Sequence, residues 1–290
     1  MNPSLTTAAS RLSRCFSELR RTGELGLVAY ITAGDPSIEA TERFVMALAK
    51  AGADVIELGV PFSDPVADGP TIQRASERAL RSGTTLAGVL ALVRKIRVRT
   101  EIPLVIFTYF NPILQMGIQS FADAAVEAGA DGVLVTDLTP EESEDYRRIL
   151  HGAGAGRGLD TIFLVAPTSS DARMRRISEV STGFLYLISR TGVTGESSAL
   201  ADGLPALLRR VRAATSLPIA VGFGISQPGH VSILGGLADA AVVGSALVAE
   251  IEGGANIDAA VAAVSARAKL LKQAARQGMS RREDLGSVNP

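Results

Sequence analysis

The 290-residue chain has no tryptophan, one cysteine, two histidines and only four lysines. Each shortage excludes something. Cys15 cannot form an internal disulfide, and on an amphipathic stretch it reads as a buried, inert thiol suited to a reducing cytoplasm. His151 and His230 join no carboxylate cluster with metal-ligand spacing, which argues against a metal centre. Lys50, Lys95, Lys269 and Lys272 all fall in helical stretches, so no lysine stands at a strand end to form a Schiff base. Acids and bases are interspersed and leave a net charge of −1, too little asymmetry for a nucleic-acid or membrane surface. No apolar run approaches the length that spans a bilayer.

What the chain does have is a large hydrophobic share, 47%, enough for a full core in one α/β barrel. Two small domains are the competing reading. The opening MNPSLTTAASRLSRCFSELRR has no acid before Glu18, the composition of an organellar transit peptide. Against that, Leu12, Phe16 and Leu19 form an apolar stripe at helical spacing, which predicts a helix laid over the bottom of a barrel.

Short β-branched runs alternate with longer amphipathic stretches along the whole chain. The runs begin at Leu27, Asp54, Pro103, Gly132, Thr161, Phe184, Pro218 and Ala240, giving eight candidate strands. One turn recurs before them, as KAGADVIEL from Lys50, EAGADGVLV from Glu127 and GGLADAAVV from Gly235. Its glycine ends a helix in the left-handed conformation and its aspartate precedes a strand. Strands that are apolar throughout have both faces covered, so the pattern predicts an α/β fold, a single (β/α)8 TIM barrel. It carries an extra N-terminal helix and a short phosphate-site helix, SALVAEIE, after strand eight. An open Rossmann-type sheet would want GxGxxG after the first strand, where TAGDPS stands instead. Residues 1–276 read as one catalytic domain and 277–290 as a disordered tail. HGAGAGRG, residues 151–158, reads as a loop on the stability face, since a strand rather than a helix follows it.

Barrel enzymes work at the C-terminal ends of their strands. In the second strand Glu57 alternates with Ile56 and Leu58; if those two face the helices, Glu57 points into the barrel, where desolvation raises its pKa toward acid-base work. A structural glutamate bonded to a neighbouring strand is the alternative. The long loop after it, rich in Pro and Asp, contains Asp64 and Asp68 and looks like an active-site cover, although either aspartate could simply form a turn. Gly222, Phe223 and Gly224 end the seventh strand, Gly244 and Ser245 end the eighth, and RTGVTG from Arg190 follows the sixth. Loops there commonly hold phosphate on backbone N–H groups.

The segment ELGVPFSDPVADGPTIQRASERAL from Glu57 closely resembles the signature of the tryptophan synthase α subunit family. The likeness extends to YITAGDP at Tyr30, FTYFNPI at Phe107, VTDL at Val135, FLVAPTS at Phe163, YLISRTGVTG at Tyr186, VGFGIS at Val221 and VVGSALV at Val242. It implies cleavage of indole-3-glycerol phosphate to indole and glyceraldehyde 3-phosphate, with Glu57 moving the protons and Asp68 holding the indole N–H. By the same resemblance Gly195, Gly224, Gly244 and Ser245 bind phosphate, Tyr30, Tyr109 and Phe223 border the indole, and Tyr186 supports Glu57. Core packing is the alternative for these aromatics. The loops around Asp64 and Thr194 would order on substrate binding. The partner implied is a pyridoxal-phosphate β subunit in an αββα complex, with no cofactor in this chain. A chain kept mainly as an activator of that partner, or a lone lyase releasing indole, are the rival expectations. Ala29, Thr139 and Phe184 depart from the family pattern, and none is at a catalytic position.

Overall fold

In the computed structural model the described residues are 10–188, 203–222 and 224–286, with side chains described through residue 277. Chain order runs α1 (Arg11–Thr22), β1 (Gly26–Thr32), α2 (Ile38–Ala51), β2 (Val55–Gly59), α3 (Pro70–Arg81), α4 (Leu86–Arg97) and β3 (Leu104–Thr108). There follow α5 (Phe110–Met116), α6 (Ile118–Ala128), β4 (Gly132–Val135), α7 (Glu144–Gly156), β5 (Asp160–Ile162), β6 (Leu164–Val165), α8 (Asp171–Val180) and β7 (Leu185–Ile188). The chain finishes with α9 (Leu204–Ala214), β8 (Ile219–Gly222), α10 (Pro228–Leu234), β9 (Ala240–Val243), α11 (Ser245–Gly253) and α12 (Ile257–Gly286).

All strand pairs are parallel, in the order β5-β4-β3-β2-β1-β9-β8-β7-β6. The two ends of that order, β5 and β6, are one strand interrupted at Phe163, so the sheet closes on itself. The fifth strand was expected to be continuous; instead its first half pairs with β4 and its second with β7. The strands are the eight expected ones, and they form the closed (β/α)8 barrel rather than an open sheet.

Alternation divides the core in two. Ile56, Leu58, Ile106 and Val133 face outward into a large cluster with Phe44, Leu48 and Phe121 of the helices. Val28, Val55, Val105, Leu134 and Ala220 face inward and fill the barrel. Leu12, Phe16 and Leu19 of α1 belong to this inner cluster, and the rings of Phe16 and Phe184 lie 5.4 Å apart. The apolar stripe is therefore a plug over the barrel bottom. Ser10 caps α1 by accepting from the Ser13 N–H.

The recurrent aspartates carry a shared task. Gly52, Gly129 and Gly236 take positive φ, as the turn requires. Asp54, Asp131 and Asp239 then each accept an N–H at the start of the preceding strand, from Leu27, Leu104 and Ile219, at 2.7, 2.8 and 2.8 Å. Each carboxylate also meets a base: Lys272 for Asp54, Arg97 and Arg11 for Asp131, Arg212 for Asp239. Strand starts are so tied at the end away from the mouth. Lys272 is buried on α12, far from any catalytic strand end.

In the glycine-rich segment before β5, Gly152 still belongs to the helix while Ala153, Gly154 and Ala155 leave helical dihedrals, so the loop begins two residues later than expected. His151 meets Thr161 at 3.2 Å, and buried His230 accepts the Ser226 N–H at 3.4 Å. Cys15 donates weakly to the Asp54 carbonyl at 3.5 Å, and burial pushes its thiol up to about 12, which keeps it unreactive. The backbone of α12 is helical to Gly286, inside the segment expected to be a tail. Among the described residues no helix is long and apolar enough to cross a membrane, and no cluster of side chains suits a metal ion.

Asp131→Ala would strip the Leu104 N–H of its acceptor and leave the half-buried Arg97 without its carboxylate. The expected cost is about 3–5 kcal/mol of stability, read from urea unfolding; a loss below about 1 kcal/mol would contradict the shared task of these aspartates.

Candidate active site

Glu57 sits in mid-strand with Tyr30 on one side and Val105 on the other in the sheet register. It shares the parity of Val55, so it faces the barrel interior, and it is 0% exposed. Neither carboxylate oxygen meets a hydrogen-bond partner among the described residues. The structural alternative, a glutamate bonded to a neighbouring strand, is thereby excluded for these residues. With burial as the only cause, its pKa is pushed up to about 8. At neutral pH it is mostly a neutral acid, a proton donor kept in an apolar site.

Asp68 enters from the loop between β2 and α3. The Tyr109 hydroxyl donates to Asp68 Oδ2 at 3.2 Å while accepting the Ala67 N–H at 2.9 Å, so one phenol fixes both the carboxylate and its loop. Phe62 of the same loop stacks on Tyr109 at 5.0 Å between ring centres. Gln73, in the first turn of α3, donates to the Asp68 carbonyl at 2.9 Å. Burial raises Asp68 to about 6, with the Tyr109 hydrogen bond pulling the other way. Asp68 is therefore an anion at neutral pH where Glu57 is not, a division set by surroundings alone. Asp64 stays at the exposed loop tip, where its carbonyl accepts the Val66 N–H at 2.9 Å, a turn-former's role.

Tyr30 spans the space between these groups. Its burial and the nearby charges of Asp68 and Glu57 push its phenol well above the ordinary range. Gly59 exists to admit it: a Cβ there would lie 2.2 Å from the Tyr30 hydroxyl oxygen. Gly222 does the same for Tyr186, whose hydroxyl oxygen would be 2.1 Å from an added Cβ. Tyr186 also lies within the field of Glu57, and burial again raises its phenol. Phe107 meets the Tyr30 ring edge-on at 5.1 Å, and the Tyr30 hydroxyl pairs with Thr32 at 3.5 Å.

Gly224 and Gly244 follow the ends of adjacent strands β8 and β9. Gly224 takes φ +84°, a conformation costly for any other residue. From Ser245 the chain turns at once into α11, so first-turn N–H groups and the positive end of the helix lie at the barrel mouth. A Cβ on Gly244 would press within 3.2 Å of Tyr30 Cδ1, so this turn and the acid pair share one wall. Thr194, Gly195 and Phe223 lie outside the described residues. Phe62, Gln73, Thr32 and Phe107 were not picked out from the sequence. Thr32, two residues beyond Tyr30, and Phe107, two residues beyond Val105, were the ones that alternation could have flagged.

Comparison with known proteins finds one family whose model, described as Tryptophan synthase alpha chain, matches residues 16–276. A tryptophan synthase alpha chain from Solibacter usitatus is 54% identical over 243 residues, covering 84% of this chain and 90% of the relative. Another from Geotalea uraniireducens is 50% identical over 239 residues, covering 82% and 88%. Among solved structures, Mycobacterium tuberculosis tryptophan synthase superposes with a TM-score of 0.83 at 36% identity, covering 93% of this chain and 99% of that one. Tryptophan synthase subunit alpha from Legionella pneumophila gives 0.83 at 39% identity, covering 93% and 100%.

The raised Glu57 pKa has a stability consequence. Its folded pKa of about 8 lies above the ordinary 4.5, so its contribution is complete below about pH 4.5 and is lost as pH rises through about 8. Glu57→Gln, which cannot ionise, should gain on the order of 4 kcal/mol relative to the parent between pH 5 and pH 8.5 in paired urea titrations. A difference that does not change with pH would mean that Glu57 titrates normally.

Proposed function

The chain belongs to the tryptophan synthase alpha chain family, and from that premise we propose that Glu57 and Asp68 carry its chemistry, with the turns at Gly224, Gly244 and Ser245 holding substrate phosphate. The protein is a lyase that cleaves indole-3-glycerol phosphate in tryptophan biosynthesis. The observation that supports this assignment of residues is Glu57 itself: a fully buried acid on a barrel strand with no hydrogen-bond partner among the described residues, while Asp68, whose charge Tyr30 also feels, is held in a different charge state.

Neutral Glu57 delivers its proton to indole C3, which turns the ring into an electron sink. Anionic Asp68 accepts a hydrogen bond from the ring N–H and stabilises the positive charge that develops there. Glu57, now a carboxylate, takes the proton of the adjacent glycerol hydroxyl; the carbonyl of glyceraldehyde 3-phosphate forms, the bond from C3 to the side chain breaks, and its electrons restore the indole. Neither an imine nor a lysine enters. Tyr30 and Tyr109 wall the indole and Tyr186 backs Glu57; Thr194, Gly195 and Phe223 complete the pocket by likeness to the family. The family's alpha chain carries no cofactor, and pyridoxal phosphate resides in the β subunit. That β subunit is the partner, in an αββα assembly that receives the indole. We read residues 1–276 as the single catalytic domain, working in the cytoplasm.

Two limbs are expected in the pH profile of kcat/KM. Activity should rise as Asp68 ionises near pH 6 and fall as Glu57 loses its proton near pH 8. Glu57→Gln should cut indole release by about a thousandfold or more while substrate still binds. Asp68→Asn should erase the acidic limb and keep the alkaline one. Assays with and without a β subunit separate a working lyase from a mere activator: undiminished turnover by Glu57→Gln would remove this residue from the mechanism.

A further inference from the structure

Asp68 lies just before α3 and Ser245 opens α11, so the two groups, which follow the strands on either side of β1, ride on the N-termini of neighbouring helices. Inside the barrel wall these helices meet through Ile72, Ala75 and Val248, a small apolar contact. Polar contacts further down hold them far more specifically. Arg74 donates from Nε and Nη2 to the two oxygens of Glu252, each at 2.8 Å, and Arg78 Nη1 adds a third bond to Glu252 at 2.8 Å. Arg78 also sets its Nε and Nη2 on both oxygens of Asp35, at 2.7 and 2.8 Å. Asp35 is 1% exposed and belongs to the loop after β1, behind Tyr30 and Thr32. That loop is tied in turn to the end of β2 by the Ala33 N–H on the Gly59 carbonyl at 2.8 Å, and to the end of α3 by Ser82 on the Gly34 carbonyl at 3.1 Å.

One guanidinium thus joins three elements: the loop behind Tyr30, the helix behind Asp68 and the helix behind Ser245. Exposed ion pairs contribute little by themselves. Here the geometry differs, because a planar fork shared by a buried carboxylate and a second helix cannot follow one partner without breaking from the other. Lysine, a point charge on a flexible stem, could not bridge both.

We propose that Arg78, with Glu252, is a positioning residue that sets the separation between Asp68 and the phosphate-binding turn at Ser245. The proposal rests on the phosphate reading above. A substrate that spans both groups senses this separation, whereas a small phosphate ester bound at the turn alone does not.

The full chain with its β subunit, carrying Glu252→Gln or Arg78→Lys, tests this. KM for indole-3-glycerol phosphate should rise roughly five- to tenfold, while the inhibition constant of glycerol 3-phosphate should stay within about twofold of the parent. Glu252→Gln keeps side-chain shape at an exposed position and serves if Arg78→Lys fails to fold. A purely structural network would lower Tm and leave KM and kcat unchanged at a temperature well below it, and that result overturns the proposal. So does equal weakening of substrate and glycerol 3-phosphate, which would confine the effect to the turn. Ser245→Asp tests the underlying reading separately: repulsion should weaken glycerol 3-phosphate, and an unchanged inhibition constant would remove phosphate from Ser245 itself.

Discussion

Closure of a parallel sheet removes water from both of its faces, and that constraint governs the rest of this molecule. Outward positions meet helices and inward ones meet each other, so an inward polar group has no solvent to fall back on. Most inward positions accordingly hold Val, Leu, Ala or an aromatic ring. Glu57 is a fully buried acid among them, and the same dryness that makes it costly pushes its pKa up to about 8. Its proton-donating form at neutral pH results from the fold rather than from any particular partner.

The two ends of the barrel use opposite solutions for polar groups. At the bottom, Asp54, Asp131 and Asp239 are bonded to backbone N–H groups and ion-paired with bases, so charge is consumed in tying strands together. At the mouth, among the described residues, Glu57 is left without a hydrogen-bond partner and the Asp68 carboxylate is held by Tyr109. Stability and chemistry are thereby separated along the barrel axis, as expected for this architecture. Glycines at the mouth serve tyrosines: Gly59 and Gly222 give up side chains so that the hydroxyls of Tyr30 and Tyr186 fit beside Glu57.

Much of this was legible in the amino-acid order. Strand positions followed from runs that are apolar on both faces, and the inward aim of Glu57 followed from its alternation with Ile56 and Leu58. The recurrent turn that runs from a glycine to Ala-Asp announced repeated units, and the stripe of Leu12, Phe16 and Leu19 announced the plug. The break at Phe163 was not legible, because it arises where the two ends of the sheet meet and not from local preference. Nor was the grip of Tyr109 on Asp68, which joins positions 41 residues apart, or the use of Arg78 to bridge Asp35 and Glu252.

The sequence by itself determined the fold class, the identity of the two carboxylates and the family, because periodicity and collinear motifs are properties of residue order. Only the tertiary structure decided how those carboxylates differ. Charge state depends on desolvation and on neighbours brought together from β1, β2, β3 and the loop before α3, and no local pattern encodes that sum. Glu57 is an acid because the barrel closes around it, and Asp68 is an anion because Tyr109 and the open mouth partly relieve its burial.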